Sequence, residues 1–199
     1  MGPLLTLPCY PIVCMLILAS ASPRRHDLLL QAGIEHVVRP SGAAEDRLPN
    51  ESPVSFVQRI AEVKARASAA RPEDVVLGAD TVVVLNGEIF GKPADERDAR
   101  RMLRLLSGVD HYVYTGICLV SQGRTIVDLS GTRVRFSPLN DEEIELYLRS
   151  GEPFDKAGAY GIQGRASKFV SAIEGCYHNV VGLPLSMVYS YLKLIGNIS

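Results

Sequence analysis

Three short stretches of the sequence set side chains where they could act on phosphate. The first is S-A-S-P-R-R at residues 20–25. An apolar run precedes it and an amphipathic one follows, so Ser20, Ser22, Arg24 and Arg25 stand where a strand meets a helix N-terminus. Free backbone N–H groups, hydroxyls and guanidinium forks at such a junction suit phosphate oxygens. A helix cap with two solvated arginines accounts for the same pattern. The second stretch, Gly78-Ala79-Asp80-Thr81, interrupts the apolar run VVLGADTVVVL with a carboxylate. An aspartate there is costly unless it pairs, binds a metal or leaves the sheet at a cleft; a turn-forming residue at a strand end is the alternative. The third, Gly91-Lys92-Pro93, places a lysine just after a hairpin, facing the same cleft or serving as surface charge.

Other candidates are plainer. Lys64 falls at the polar edge of an amphipathic helix, and Glu45 and Asp46 lie in a polar loop. Solvation explains all three unless a metal or an anion draws them in. The run Tyr160-Gly161-Ile162-Gln163-Gly164 lacks the G-x-G-x-x-G spacing and the preceding strand of a dinucleotide fingerprint. It offers either a plain glycine turn or a flexible backbone carrying one amide able to read a base edge. Together these parts suit nucleotide polyphosphates, where cations and a divalent metal neutralise charge while a carboxylate activates water. Neither a Walker A motif nor a kinase motif set occurs, so hydrolysis fits better than transfer to a protein.

The elements that must position these groups read as an α/β fold with a twisted mixed sheet. MLILAS is a buried-strand pattern, followed by a helix opening at Pro23 and ending at Gly33. IEHVVRP is a second strand, and residues 41–53 form a turn-rich loop. Residues 54–70 resume helical spacing, with Phe56, Ile60 and Val63 on one face. VVLGADTVVVL reads as strand broken at residues 78–80, before a hairpin at Asn86-Gly87. A helix over 93–108 has an acidic first turn and ends at Gly108. Two strands joined at Gln122-Gly123 come next, then a helix capped near Asn140, a glycine-rich segment, a strand FVSAIEG and a closing helix over 185–195.

Bulk composition narrows the function classes. With 199 residues, 47% of them hydrophobic, and a net charge of −1, the chain suits one domain or two small lobes and lacks the basic excess of a nucleic-acid coat protein. Cys9, Cys14, Cys118 and Cys176 show no CxxC spacing, and His26, His36, His111 and His178 no zinc spacing. Reduced thiols in a cytosolic setting are the default. LILASAS imitates a leader with a small-residue cleavage site. Residues 1–19 carry no charge, however, and Pro3, Pro8 and Pro11 interrupt any apolar helix, so no signal peptide or membrane span is expected. Residues 1–14 read as a disordered extension, and residues 15–199 as one domain.

The motifs occur in the order of a known family. S-A-S-P-R-R-x-x-L-L, V-K-A-R, G-A-D-T, G-K-P, L-S-G, Y-T-G, K-A-G-A-Y-G-I-Q-G and V-V-G-L-P-L run in sequence from residue 20 to residue 185. On these motifs the chain resembles the Maf family of nucleoside triphosphate pyrophosphatases, once called septum formation proteins. The resemblance implies a cytosolic enzyme that splits a nucleoside triphosphate between its α and β phosphates with a divalent metal, Mg²⁺ or Mn²⁺. It implies two lobes around a deep cleft, as in the inosine triphosphate pyrophosphatases, and a possible homodimer, with no nucleic-acid or membrane partner.

By motif position, Asp80 is similar to the general base and a metal contact, and Glu45 to the acidic metal position. Arg25, Lys64 and Lys92 match the triphosphate-binding cations, with Ser20 and Ser22 beside them. Arg24, Thr81 and Gln163 match positions that set base preference. The Y-G-I-Q-G form is similar to the branch acting on dTTP and UTP. Here the loop reads A-A-E-D, lacking the family's usual carboxylate before the glutamate, so Asp46 could share the role of Glu45. Cys176 stands where serine is common, and Ala166-Ser167-Lys168 replaces a glycine-rich pair. A regulator of division that binds a triphosphate without processing it is the alternative.

Overall fold

The computed structural model describes residues 15–198; the expected N-terminal extension lies outside them. Strand β1 (Leu16–Leu18) pairs in parallel with β2 (His36–Val38) on one side and with β3 (Val75–Leu85) on the other. β3 then pairs antiparallel with β5 (Asp110–Ser121), β5 with β6 (Arg124–Phe136), and β6 with β7 (Val170–Glu174). A short strand, β4 (Glu88–Phe90), folds back on the end of β3. The result is the mixed sheet that the sequence implies, in the order β2-β1-β3-β5-β6-β7. Both expected hairpin turns form, with positive φ at Asn86-Gly87 and Gln122-Gly123, the geometry that matches strand twist.

β3 departs from expectation in one respect that matters for the site. Gly78, Ala79 and Asp80 do not break it; all remain in register, with Gly78 opposite Cys118 and Asp80 opposite Gly116. The reason is helix α2 (Pro53–Ser68). A Cβ at Gly78 would lie 2.1 Å from the Ala61 carbonyl oxygen, and one at Gly116 2.3 Å from that of Val57. The two glycines form a trough in the sheet into which the helix backbone sinks. Ser52 caps this helix by accepting from Ser55 N, Pro53 opens it, and Phe56, Val57, Ile60, Ala61 and Ala65 are its buried face.

The opposite face carries two apolar cores. At the β1 end, helices α1 (Pro23–Gln31) and α6 (Leu185–Leu194) pack Leu28, Leu29, Val188 and Leu192 against Leu16, Leu18, Val75 and Leu77. At the far end of β3 and β5, α3 (Glu96–Leu106) and α4 (Asp141–Leu148) surround Val83, Phe90, Val113 and Phe136. α3 is capped by Asp95, and α4 by a reciprocal Asn140–Glu143 box.

Two further differences concern short elements. IEHVVRP yields three strand residues, because Val37 and Val38 are 40% and 45% exposed at the sheet edge and gain little from further pairing. A helix the sequence reading did not anticipate, α5 (Tyr177–Val181), follows β7. The glycine-rich segment is built of 3₁₀ turns at Glu152–Asp155, Ala157–Ala159 and Arg165–Phe169. Among the described residues, no helix is long and apolar enough to cross a membrane.

Candidate active site

The cleft arises where β3 loses its neighbours. β1 pairs with residues 75–77 and β4 with residues 83–85, while β5 takes the other edge along residues 75–84. Residues 78–82 are therefore left without a strand on one edge. Parallel strands that part at their carboxyl ends open a crevice of this kind. Here it holds about 1130 Å³ between the two apolar cores.

Strand alternation sends Asp80 toward α2 and Thr81 toward the opposite face. Lys64, within the sunken stretch of α2, donates to Asp80 Oδ1 at 2.7 Å. Glu45 Oε1 lies 2.9 Å from the same ammonium. The polar loop bearing Glu45 is tied down by Arg59, which forks onto Glu51 and donates to the Asp46 carbonyl at 2.9 Å. This anchor turns Glu45 into the cleft and leaves the Asp46 side chain outside it. The carboxylate that reaches Lys64 is therefore that of Glu45. Burial pushes the Asp80 carboxyl above its ordinary range, Glu45 adds to that rise, and Lys64 and Arg25 oppose it. Asp80 Oδ2 has no hydrogen-bond partner among the described residues.

Arg25 sits on the other side of β3 and is 7% exposed. Its Nε donates to the Gly182 carbonyl at 2.8 Å, Nη1 to Ser20 Oγ and the Ala79 carbonyl at 2.9 Å, and Nη2 to Thr81 Oγ1 at 2.9 Å. These contacts use four of the five guanidinium N–H groups and leave one, on Nη2, for a ligand. Burial lowers the pKa of this guanidinium, with Asp80 acting in the opposite direction. Thr81 also shares a hydrogen bond of 2.9 Å with Thr115, so its hydroxyl is already committed within the protein. Ser20 Oγ accepts from Ser22 N as well, at 3.3 Å. Ser22 stands at the N-cap of α1 without capping it through its side chain.

The remaining expected residues ring the mouth. Arg24 pairs with Asp155 at 2.8 Å, joining the β1–α1 turn to the first 3₁₀ turn. Lys92 is exposed at the rim and has no ion-pair partner among the described residues. Gln163 is exposed on the glycine-rich loop and lines the cleft. The structure thus brings Ser20, Ser22, Arg24, Arg25, Glu45, Lys64, Asp80, Thr81, Lys92 and Gln163 into one cavity and leaves Asp46 out.

Several lining residues had no role in the sequence reading. Glu152, Asp155 and Lys156 line the same cavity; Lys156 donates to Asp155 at 2.6 Å and to the Glu152 carbonyl at 2.7 Å. Lys156 opens the K-A-G-A-Y-G motif, a usable signal, whereas Glu152 and Asp155 look like ordinary loop acids. Asn179 is fully buried and donates to the Val113 carbonyl and Thr132 Oγ1, each at 2.9 Å. It fixes α5, and so the Gly182 carbonyl that Arg25 grips. Cys118 is no nucleophile, because burial pushes its thiol up to about 12.

Comparison with known proteins places the chain among its relatives. A dTTP/UTP pyrophosphatase of Koribacter versatilis (strain Ellin345) is 51% identical over 182 residues, covering 91% of this chain and 94% of that protein. One from Geobacter sp. (strain M21) is 53% identical over 184 residues, covering 91% and 95%. The solved structure of the Staphylococcus aureus Ham1 protein superposes with a TM-score of 0.52 at 14% identity, over 91% of this chain and 99% of that one, which shows a shared fold. Residues 15–195 match the family described as Maf-like protein. With the motifs, the cleft and this match in agreement, the chain belongs to the Maf family.

Proposed function

We propose that the chain hydrolyses dTTP and UTP to the monophosphate and pyrophosphate; relatives 51% and 53% identical to it are named dTTP/UTP pyrophosphatase. The observation that carries the reading is Lys64 held between Glu45 and Asp80 in the cleft, with one oxygen of Asp80 unused. A pyrophosphate-release assay on a panel of triphosphates with Mg²⁺ or Mn²⁺ tests it; no release from dTTP or UTP would refute it.

The donor set fits a divalent metal. Two carboxylates already converge on one cation, and hard cations such as Mg²⁺ take few protein oxygens beside substrate phosphates and water. Among the described residues, no cluster of three or more metal-ligating side chains forms, so the phosphates would complete the shell. Charge supports the same view. Five cations (Arg24, Arg25, Lys64, Lys92 and Lys156) and four carboxylates (Glu45, Asp80, Glu152 and Asp155) line the cleft. That net +1 is far short of a triphosphate's roughly four negative charges. Glu45 and Asp80 would hold the ion, which when bound screens and polarises the phosphate oxygens.

The protein's own groups supply the rest. Asp80 Oδ2 accepts the proton of the attacking water, and burial makes this carboxylate a stronger base than one in solution. Lys64 keeps Asp80 oriented. The spare N–H of Arg25 and the ammonium of Lys92 meet phosphate oxygens, and Gln163 offers its amide to the base edge. A regulator that binds without hydrolysing needs no basic carboxylate with a free oxygen in the cleft. We place the activity in the cytoplasm, where the free thiols of Cys118 and Cys176 are stable. A homodimer is the assembly the family resemblance implies, with neither nucleic acid nor membrane as partner.

A further inference from the structure

The loop that carries Gln163 is held from below by two side chains. Its own closure is one turn, Gly164 N donating to the Gly161 carbonyl at 3.0 Å. Beneath it, Tyr147 Oη accepts from Gly161 N at 3.2 Å and donates to Glu152 Oε1 at 3.0 Å. Glu152 Oε2 then accepts from Arg165 N at 2.9 Å. One phenol and one carboxylate thus grip both ends of the loop, and Tyr147 is itself 2% exposed on α4. The fit is close. A Cβ at Gly164 would lie 2.2 Å from Glu152 Oε1, and one at Gly161 2.6 Å from Lys156 Cε. Ile162, at 7% exposure, points into the core beside them and leaves Gln163 to face the cleft.

We propose that Tyr147 and Glu152 are positioning residues for base selection: they fix the height and angle at which Gln163 meets the base. The proposal rests on the reading of Gln163 as the base reader. The chemistry explains why these residue types serve. A phenol accepts and donates at one atom, and a carboxylate accepts from two directions at once. Phenylalanine removes both functions of Tyr147 while keeping its volume. Glutamine at 152 keeps one good acceptor and turns an N–H₂ toward the other donor.

The test measures kcat and KM for dTTP, UTP, dATP and dGTP in wild type, Tyr147→Phe, Glu152→Gln, the double variant and Gln163→Ala. In both single variants KM for dTTP and UTP should rise roughly five- to tenfold, the scale of about one lost hydrogen bond. The purine nucleotides should move little, and kcat should fall far less than KM rises. The double variant should be no worse than the more severe single one, because both act on one network. A parallel loss for all four nucleotides, or an unchanged profile while Gln163→Ala relaxes base preference, would overturn the proposal and leave the reading of Gln163 standing. An unchanged profile in Gln163→Ala would overturn both. Both substitutions conserve volume, and thermal unfolding checks each fold; if one fails, the other carries the test.

Discussion

Lys64 Nζ and Asp80 Oδ1 meet at 2.7 Å, and this contact exists because two glycines let a helix sink into a sheet. The pair links backbone geometry to chemistry, so disturbing either has a defined outcome. Asp80→Asn should remain folded, since an amide oxygen still accepts from Lys64. Its kcat should fall by roughly 10²–10⁴, the usual contribution of a positioned base. Steady-state pyrophosphate release with a circular-dichroism melt checks both halves.

The pH profile follows from the same environment. As the proposed general base, Asp80 must be ionised to act, and burial raises its pKa, so kcat/KM should fall with decreasing pH through a value above the ordinary aspartate range. Removing a neighbouring negative charge lowers that pKa, so Glu45→Gln should move the acid limb to lower pH. Removing a positive one raises it, so Lys64→Met should move the limb to higher pH. Profiles at constant ionic strength read the two opposite displacements.

Gly78→Ala tests the trough. Its new Cβ would lie 2.1 Å from the Ala61 carbonyl oxygen and 2.8 Å from Ala65 N, both backbone atoms of α2. Neither can rotate away. Overpacking of this kind should destabilise the protein by about 2–3 kcal/mol in urea unfolding. Activity should drop as well, because the displaced helix carries Lys64.

Arg25→Lys keeps the charge and loses the fork. Ser20 Oγ, the Ala79 and Gly182 carbonyls and Thr81 Oγ1 would compete for one ammonium, leaving buried acceptors unpaired. A loss of roughly 2–4 kcal/mol is expected from two or more such acceptors. Denaturant melts should register it together with a rise in KM for the triphosphate.

Chelation should abolish turnover, and added Mg²⁺ or Mn²⁺ should restore it. In Glu45→Gln the metal concentration for half-maximal rate should rise about tenfold or more, as one of two charged oxygen donors is lost. A metal titration at saturating dTTP measures the shift.

Much of this site was legible beforehand because its residues sit in local patterns. The strand-to-helix turn at Ser20–Arg25, the aspartate within an apolar strand and the lysine after a hairpin each announce themselves within a few positions. The sequence could not show that β3 continues through Gly78-Ala79-Asp80. Glycine and aspartate read as strand breakers until a helix backbone needs the missing Cβ and a lysine needs the carboxylate. Glu45 separated from Asp46 only through Arg59, which lies on a different element. The grip of Arg25 on Gly182 spans 157 positions and depends on α5, a helix too short to leave a periodic signal. Glu152 was invisible for a different reason: it sits in a short 3₁₀ turn with no pattern, and its partners are a tyrosine five residues before it and a backbone amide thirteen after.

The unpaired edge of β3 also fixes the length of the cleft floor. One wall is fixed where Leu18 lies opposite Leu77, the other where Phe90 lies opposite Val83. The span from 77 to 83 is six strand steps, roughly 20 Å at about 3.3 Å per residue. Hydrogen-bond register makes that aperture a ruler graduated in whole residues. Side-chain substitutions can repaint its surfaces without altering its length. An insertion or deletion in the hairpin at Asn86-Gly87 would move one end of that floor by a discrete notch.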